Sequence, residues 1–151
     1  MADHDARSEA IRALERELSA TVRRIKRAIS TRARMVHPDL AAASWSMLAA
    51  LRDDGPQRSA ALAERFSIDK GAVSRQVATL ESLGLVVREP DPADGRAQLL
   101  RISDEGARRV DDVDARRREW YQGRLSEWGA DEIGQLAKIL GAYNQALDRS
   151  D

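Results

Sequence analysis

The side chains best suited to chemistry lie within Ile68 to Leu85, where one long cation stands among small and hydrogen-bonding residues. An arginine can donate two hydrogen bonds to O6 and N7 of a guanine, and a glutamine can pair with an adenine in the same way. Arg75 and Gln76 carry these side chains, and the small residues Gly71 and Ala72 would let the backbone come close to a duplex. A solvated helix face can carry the same residues, so both interpretations stay open for this stretch alone.

The stretch 68–85 is predicted to form one short helix with a defined start and end. Asp69 is suited to the N-cap, because its carboxylate can accept a hydrogen bond from the free N–H groups of the first turn. Gly84 stands where a left-handed residue ends many helices. Between these caps one narrow arc is apolar, which predicts a face packed on a core. The apolar arc holds Val73, Val77 and Leu80; the opposite arc holds Gly71, Ala72, Arg75, Thr79 and Ser82, flanked by Lys70, Ser74 and Gln76.

Two short helices are predicted before this one. The first is expected from Leu40 to about Arg52, with Asp39 as its cap. The second is expected from Ala60 to Phe66, with Ser59 as its cap. The residues expected to point inward are Ala43, Met47, Leu48 and Leu51 on the first helix, with Trp45 off that stripe, and Leu62, Ala63 and Phe66 on the second. A tight connection then joins two short helices in the helix-turn-helix pattern.

After Leu85 the apolar period changes from that of a helix to that of a strand, which predicts a β-hairpin. Its strands are expected at 86–88 and 98–102, and Gln57-Arg58 could add a very short strand. The segment 89–97 contains two prolines and an Asp-Gly pair, so we expect a long loop that cannot pair along its length. Such a hairpin is the wing of a winged helix-turn-helix. Arg96 in its tip is suited to a narrow minor groove, where negative potential is concentrated.

Long amphipathic helices are predicted on both sides of the region 40–102. They are expected from residue 7 to about 34 with a stop at Pro38, from a Ser103 cap to about Trp128, and from about Asp131 after a break at Gly129. Each carries an apolar stripe that a small core cannot cover, and an identical chain across a two-fold axis would cover it. We therefore expect a mainly α (α+β) fold, with a winged-helix lobe at 40–102 and a helical dimerisation region at 7–37 and 103–149. A monomeric helical bundle is the alternative.

Composition narrows the classes of protein. The 151 residues include no cysteine, and the two histidines are far apart, so we expect neither a metal site nor a cofactor. No apolar run approaches the ~20 residues of a membrane span, and the polar N-terminus is not a secretory signal. A cytoplasmic protein without a membrane partner is expected. No Gly-rich phosphate loop, HExxH or GxSxG motif is present, so we do not expect an enzyme.

Charge is unevenly distributed although the net charge is zero. Basic side chains outnumber acidic ones by nine to six in residues 1–39, while acidic ones lead by eleven to eight in residues 103–151. A DNA-binding surface would therefore need its arginines gathered on one face. The neutral total keeps open a second function, a winged-helix module that binds a protein and not DNA. Steep loss of affinity at high salt would favour DNA, since phosphate contacts release counterions.

Several segments together resemble the MarR (multiple antibiotic resistance regulator) family. They are LAERF at 62–66, VSRQV at 73–77, LESLGL at 80–85, Arg88, DPADGR at 91–96 and LRISDEG at 100–106. The likeness covers about residues 40–106, and the flanking helices match in arrangement. It implies a winged-helix homodimer that represses transcription from a pseudo-palindromic operator. It also implies release from DNA when a small aromatic, phenolic or lipophilic ligand binds.

The resemblance also implies roles for individual residues. Arg75 would read a base edge, Arg96 would enter the minor groove, and Asp94 would brace the wing with Arg88 as its expected partner. The expected DNA contacts are Arg58, Ser59, Lys70, Ala72, Ser74, Arg75, Gln76, Thr79, Arg88, Asp94 and Arg96. A ligand pocket between the dimerisation helices and the lobe would include Met35, His37, Trp45 and Trp120, although ordinary core and junction packing is the favoured interpretation of each residue.

Overall fold

The computed structural model describes residues 2–148, and within that range it has six helices and one two-stranded antiparallel sheet. The elements are α1 (Ala2–Val36), α2 (Ala42–Asp54), α3 (Ser59–Phe66), α4 (Lys70–Ser82), β1 (Val86–Asp91), β2 (Asp94–Ile102), α5 (Asp104–Arg124) and α6 (Ala130–Asp148). This order confirms the mainly α, winged helix-turn-helix fold predicted from the sequence. The last residue of the expected region 103–149 lies outside the described range.

The chain divides into two compact units, of which the first extends to Val113. Its core takes side chains from every helix and strand of that unit. The buried apolar residues that pack together in this core are Ala33, Val36, Leu40, Trp45, Met47, Leu48, Leu51, Leu62, Val73, Val77, Leu80, Leu85, Val86, Leu100, Ile102, Val110 and Val113. Because α3, α4 and the sheet share this one core, their positions are fixed relative to one another.

Helix α1 begins before residue 7 and continues past residue 34, so it is longer than predicted. Ala2–Val36 contains no glycine or proline, and nothing in it stops a helix. The helix ends just before His37 and Pro38, and a proline can continue a helix only at the loss of an N–H. The turn that follows is closed by the His37 N–H, which donates to the Ala33 carbonyl at 3.0 Å, and by the Leu40 N–H, which donates to the His37 carbonyl at 3.0 Å.

Helix α2 starts later than predicted, and Asp39 does not cap it. The backbone N–H of Asp39 donates to Nδ1 of His37 at 3.2 Å, and Ala41, the residue before the helix, makes no side-chain cap hydrogen bond. Leu40 is buried in the turn between α1 and α2. The expected first helical residue is therefore used by that turn, and the helix begins at Ala42.

The buried face of α2 is also wider than predicted. Met47, Leu48 and Leu51 are buried as expected, whereas Ala43 is exposed and Trp45 is buried. Helix α2 packs against α1, α4 and β2, so it is covered on more than one side. A single apolar stripe, which was the basis of the prediction, cannot describe a helix that is surrounded in this way.

Helices α3 and α4 form the predicted helix-turn-helix. Helix α3 ends at Phe66. The next residue, Ser67, has a left-handed backbone with φ at +50°, and the Ile68 N–H donates to the Ala63 carbonyl at 3.1 Å. Ser59 does not cap α3, because it is already the first helical residue. Arg58 occupies the N-cap position and makes no side-chain cap hydrogen bond there, because a guanidinium cannot accept from the free N–H groups of a helix start.

The wing pairs further along its length than predicted, so the expected loop at 89–97 is wrong for most of that segment. Glu89 pairs with Leu99 and Pro90 pairs with Gln98, after which the register shifts and Asp91 pairs with Asp94. Both strands of a two-stranded sheet are edge strands, where a proline is tolerated. The residues between Asp94 and Gln98 form a bulge, and a bulge lets pairing continue past an irregular segment.

The short strand expected near Gln57 joins the wing to the segment before α3. The Gln57 N–H donates to the Leu100 carbonyl at 3.0 Å, and the Leu100 N–H donates to the Gln57 carbonyl at 2.8 Å. This bridge attaches the middle of β2 to the start of the helix-turn-helix.

Residues from Asp114 onward form the second unit, which contains the end of α5 and all of α6. Helix α5 ends at Arg124, four residues before the predicted end, and a turn follows in which the Trp128 N–H donates to the Leu125 carbonyl at 3.0 Å. The Gly129 N–H then donates to Glu132 Oε2 at 2.7 Å where α6 begins. Apolar side chains remain exposed in this unit: Trp120, Tyr121, Trp128, Ile133, Leu136, Ile139, Leu140 and Leu147.

Ser103 caps α5 as predicted, and it also holds the start of α5 against the end of α4. Ser103 Oγ accepts from the Gly106 N–H at 2.9 Å and donates to the Gly84 carbonyl at 2.6 Å. Gly106 packs so closely that an added Cβ would overlap the Leu85 carbonyl oxygen and lie 3.0 Å from Cγ1 of Ile102. Only glycine fits this position.

We predict that Gly106→Ala lowers the free energy of unfolding by about 1–3 kcal/mol, because overpacking against backbone cannot be relieved by a change of rotamer. Urea denaturation measures the effect. Gly123→Ala on the same helix is the control, since no heavy atom lies within 4 Å of an added Cβ there. The free energy of unfolding of Gly123→Ala is expected to rise by about 0.5–1 kcal/mol, because alanine is favoured over glycine in a helix. Equal stability of the two variants would contradict the close packing at Gly106.

Candidate nucleic-acid interface

Both ends of α4 are built as the sequence predicted. At the start, Oδ1 of Asp69 accepts from the Ala72 N–H at 2.8 Å. At the end, Gly84 has φ at +69°, its N–H donates to the Glu81 carbonyl at 2.9 Å, and the Leu85 N–H donates to the Leu80 carbonyl at 2.9 Å. These two bonds are the Schellman pattern, which satisfies carbonyl groups that a helix end leaves free. The helix is therefore a rigid, well-bounded element.

The predicted inner and outer faces of α4 are confirmed by burial. Val73, Val77 and Leu80 are at most 1% exposed, whereas Gly71, Ser74 and Arg75 on the other faces are exposed. The other members of the outer face are Lys70 and Ser82, which are exposed, and Ala72, Gln76 and Thr79, which are half-buried. The helix presents to solvent a face of small and hydrogen-bonding side chains around one arginine.

Arg75 lies over the first turn of α4. An added Cβ at Gly71 would lie 3.4 Å from Nη1 of Arg75 and 2.9 Å from Oδ1 of Asp69, so glycine at this position leaves room for both groups. The guanidinium makes no hydrogen bond or ion pair with another side chain in residues 2–148. It is therefore free to donate to an external acceptor. The pKa of Asp69 is lowered by the Ala72 N–H and, to a smaller extent, by the charge of Arg75.

The wing carries a second exposed arginine. The backbone N–H of Arg96 donates to Oδ1 of Asp94 at 3.2 Å, while its guanidinium has no ion-pair partner within the described part of the chain. Arg96 lies on the wall of an open cleft between the wing and the start of α3. The residues lining this cleft are Arg58, Ser59, Arg88, Pro90, Gly95, Arg96, Ala97 and Gln98. Three of the expected DNA-contacting arginines are thus brought together.

The expected pair of Asp94 with Arg88 does not form. Arg88 donates through Nε to Oε1 of Glu81 at 2.7 Å and through Nη2 to Oε2 at 3.2 Å. Asp94 instead lies 3.7 Å from Nη2 of Arg58. The register explains the difference, because Asp94 pairs opposite Asp91 at the tip, three residues and about 10 Å along the strand from Arg88. Arg88 therefore ties the wing to the last turn of α4.

Asp91 is a residue of this region that sequence reasoning assigned to a loop. Its side chain is only 8% exposed, and Oδ2 accepts from Nε of Arg58 at 2.7 Å, with Nη2 2.6 Å away. Oδ1 accepts from the Ala93 N–H at 2.8 Å. The Ala93 N–H and then Arg58 hold the pKa of this carboxyl below its usual value. No periodicity marks this pair, since its members are 33 residues apart in sequence.

The four residues expected to line a ligand pocket fall in both units. In the first unit Trp45 is buried in the core, Met35 is exposed, and His37 is half-buried and accepts through Nδ1 from the Asp39 N–H. In the second unit Trp120 is 56% exposed. Its ring meets Tyr121 edge to face at 5.1 Å between centroids, and the guanidinium of Arg124 lies 5.7 Å above it.

Within residues 2–148 the molecule has neither a metal-binding cluster nor a membrane-spanning helix. No group of three or more histidine, cysteine or acidic side chains there could hold a metal ion. None of the helices in that range has the length and apolar character needed to cross a membrane.

Comparisons with known proteins identify transcriptional regulators as relatives of this chain. The model of the MarR family matches residues 39–97. The chain is 31% identical to the HTH-type transcriptional regulator ML2140 of Mycobacterium leprae over 99% of both proteins. It is 32% identical to the HTH-type transcriptional repressor NicR of Pseudomonas putida over 49% of this chain and 47% of that protein. A cysteine-to-serine mutant of MarR from Escherichia coli, solved in complex with operator DNA, has a TM-score of 0.64 and 25% identity, covering 88% of this chain and 94% of that one.

We predict that the protein loses stability in acid in part through Asp91. Its folded-state pKa is lowered, so in acid the unfolded chain takes up a proton before the folded one does, and stability falls as the pH falls through the folded pKa. Denaturant unfolding between about pH 5 and pH 3 should show a smaller loss of stability for Asp91→Asn than for the unmodified chain. Asp53→Asn, at an exposed position, is the control. An equal loss in all three proteins would contradict this role of Asp91.

Proposed function

Because this chain belongs to the MarR family of DNA-binding transcriptional regulators, we propose that it is a homodimeric repressor that binds a pseudo-palindromic operator and leaves it when a small ligand binds. The operator complex of the related MarR structure supports duplex DNA as the partner. The repressor NicR, which shares 32% identity over about half of each chain, supports the direction of regulation.

The observation that carries the proposal is the outer face of α4. Arg75 is exposed and has no side-chain partner in the described residues, and the neighbouring Gly71 and Ala72 leave the backbone close to the surface. A free guanidinium on a helix whose neighbouring side chains are small can enter a major groove and donate two hydrogen bonds to a guanine. In this proposal Gln76 and Thr79 lie beside the same base pairs.

Other residues around α4 would set the position of the protein on the duplex. Phosphate contacts hold register and orientation, and base contacts give specificity. We assign phosphate contacts to Lys70 and Ser74 on α4, to Ser59 at the start of α3, and to Arg88 at the base of the wing. Arg96 at the wing tip would enter the minor groove, where a narrow A·T tract attracts arginine.

The exposed apolar side chains on the long helices support a dimer. On α1 they include Ile11, Leu14, Val22 and Ile25, and on α6 they include Ile133, Leu136, Ile139, Leu140 and Leu147. Apolar stripes of this length are unfavourable in water and mark an interaction surface. A second copy related by a two-fold axis would cover the same stripes on both chains, and would present two α4 helices to two half-sites about 34 Å apart.

Release by a ligand requires a compound that binds one arrangement of the dimer better than the other. The candidate contacts are Met35, His37 and Trp45 in the first unit and, separately, Trp120 in the second. An aromatic or phenolic acid is the candidate ligand. Titration of the dimer with salicylate-like acids tests this part of the proposal through tryptophan emission and operator affinity. If neither changes, these residues are packing residues and this part of the proposal fails.

We predict that Arg75→Ala lowers affinity for the operator by about 1–3 kcal/mol and relaxes the base preference in each half-site, since the base-reading donor is lost. Lys70→Ala should instead weaken binding to all duplexes equally and reduce the salt slope by about one. Arg65→Ala is the control, because Arg65 is an exposed arginine of α3 that pairs with Asp54. Competition binding against random and operator duplexes measures all three.

Two outcomes would contradict the assignment of Arg75. Equal weakening on specific and random duplexes would make Arg75 a phosphate contact. Binding that does not depend on salt in the unmodified protein would favour a protein-interaction module over a DNA-binding regulator.

We predict that Leu140→Asp weakens the dimer, because a charge would be buried where apolar side chains meet. Sedimentation equilibrium should show a shift toward the mass of one chain. Gln145→Glu on the same helix adds the same charge at an exposed position away from the apolar stripe and is the control. An unmodified protein that sediments as a monomer at micromolar concentration would rule out the proposed dimer.

A further inference from the structure

The pair of Asp91 and Arg58 is unlike the other ion pairs of the molecule. Among the residues whose side chains are described, Asp91 is the one charged side chain that is buried. The other carboxylates of the ion pairs are at least 26% exposed on their side chains. Burying a carboxylate is costly unless it is paired and hydrogen-bonded, and both oxygens of Asp91 are satisfied. Loss of Arg58 would leave a buried charge without its partner.

The pair attaches the wing nearer its tip than the other contacts do. At the level of Leu100 the wing is held by the bridge of Gln57 with Leu100 and by the ion pair of Arg88 with Glu81. Asp91 lies three residues beyond Arg88 on β1, about 10 Å toward the tip. Gln57 and the arginine of the pair are adjacent in sequence, so the bridge and the pair both lead to the start of α3. A hairpin held at one level can pivot about it, whereas one held at two levels keeps its angle.

The attachment extends to the tip itself. Nη2 of Arg58 lies 3.7 Å from Oδ2 of Asp94, and Oδ1 of Asp94 accepts from the backbone N–H of Arg96. Asp91 also accepts from the N–H of Ala93 in the turn. Arg58 therefore holds both carboxylates that order the backbone around Arg96.

We infer that Arg58 and Asp91 are positioning residues, which fix the angle of the wing tip, and with it Arg96, relative to α4. Helices α3 and α4 pack in one core. A wing tip that is fixed to the start of α3 is therefore also fixed relative to α4. The inference rests on the proposed role of Arg96 in the minor groove. It gives Arg58 a role other than the DNA contact that the family resemblance implies.

The test compares Arg58→Gln and Asp91→Asn on one operator flanked by A·T or by G·C base pairs. The ratio of the two affinities measures the contribution of Arg96 and cancels the general effect of changing one charge. If the pair positions the wing, both variants lower this ratio toward that of Arg96→Ala, and neither lowers it further in an Arg96→Ala background. Arg65→Gln and Asp54→Asn, which break an exposed ion pair between α3 and α2, should leave the ratio unchanged.

A phosphate contact gives a different pattern. Arg58→Gln would then weaken binding on both flanks equally and reduce the salt slope by about 0.9, and Asp91→Asn would not lower the ratio. That result overturns the inference. Arg58→Lys keeps the charge but not the fork of donors, and an intermediate ratio is expected if the pair positions the wing. Arg58→Lys also replaces Arg58→Gln in this test if circular dichroism shows that Arg58→Gln is unfolded.

A measurement without DNA separates this inference from the proposed function. If the unmodified protein binds operators with A·T and G·C flanks equally well, the proposed role of Arg96 in the minor groove is wrong. The attachment of the wing by Arg58 and Asp91 is then tested by ¹⁵N relaxation of the Ala93 and Gly95 amides in the free dimer. Increased motion of these amides in Arg58→Gln and Asp91→Asn, but not in the two control variants, upholds the attachment. Unchanged relaxation overturns it.

Discussion

The outward face of α4 is set by the burial of three side chains on its other side. Val73, Val77 and Leu80 are almost completely buried, and burying an aliphatic side chain of this kind contributes about 1.5–3 kcal/mol. Turning the helix about its axis would expose all three and cost several times that amount. Arg75 lies midway between Val73 and Val77 in sequence and must therefore point away from the core. Arg75 is therefore exposed because the opposite face of α4 packs on the core, and not because of a contact that Arg75 itself makes.

The end of α4 is also the place where α5 begins. The Leu85 carbonyl accepts from the Ser103 N–H at 2.9 Å, and Ser103 Oγ donates to the Gly84 carbonyl. Further along α5, Nη1 of Arg109 donates to the Val36 carbonyl at the end of α1 at 2.9 Å. Within the first unit, a shift of α1 or α5 would thus be transmitted to the end of α4. A ligand that moved α1 or α5, as the proposed release from DNA requires, would therefore also move α4.

The sequence predicted the elements whose signals are local. Asp69 and Gly84 bound α4 because capping depends on a few neighbouring residues, and the stripe of Val73, Val77 and Leu80 follows from helical period. Several predictions that depended on tertiary contacts were wrong. Trp45 was placed outside the core because α2 was treated as packed on one side, and the wing was cut short because its prolines were read as ending the pairing.

The same distinction applies to the candidate interface. Arg75 and Arg96 were identified as candidate contacts from residue type and motif, and both are exposed. The attachment of the wing could not be predicted, because Arg58 and Asp91 are distant in sequence and no pattern of spacing connects them. Nothing in the sequence distinguishes Arg88, which pairs with Glu81, from an arginine that would pair with Asp94. Ion pairs between elements depend on register, and the register shift near Pro90 is a tertiary feature.

The most direct measurement selects binding duplexes from a random library and then maps methylation of guanine N7 on them. We expect an inverted repeat with half-site centres about one turn apart, and a guanine in each half-site whose methylation blocks the unmodified protein but not Arg75→Ala. Selected duplexes without inverted symmetry, or the same guanine interference in both proteins, would contradict the central claim that two copies of α4 read the operator through Arg75.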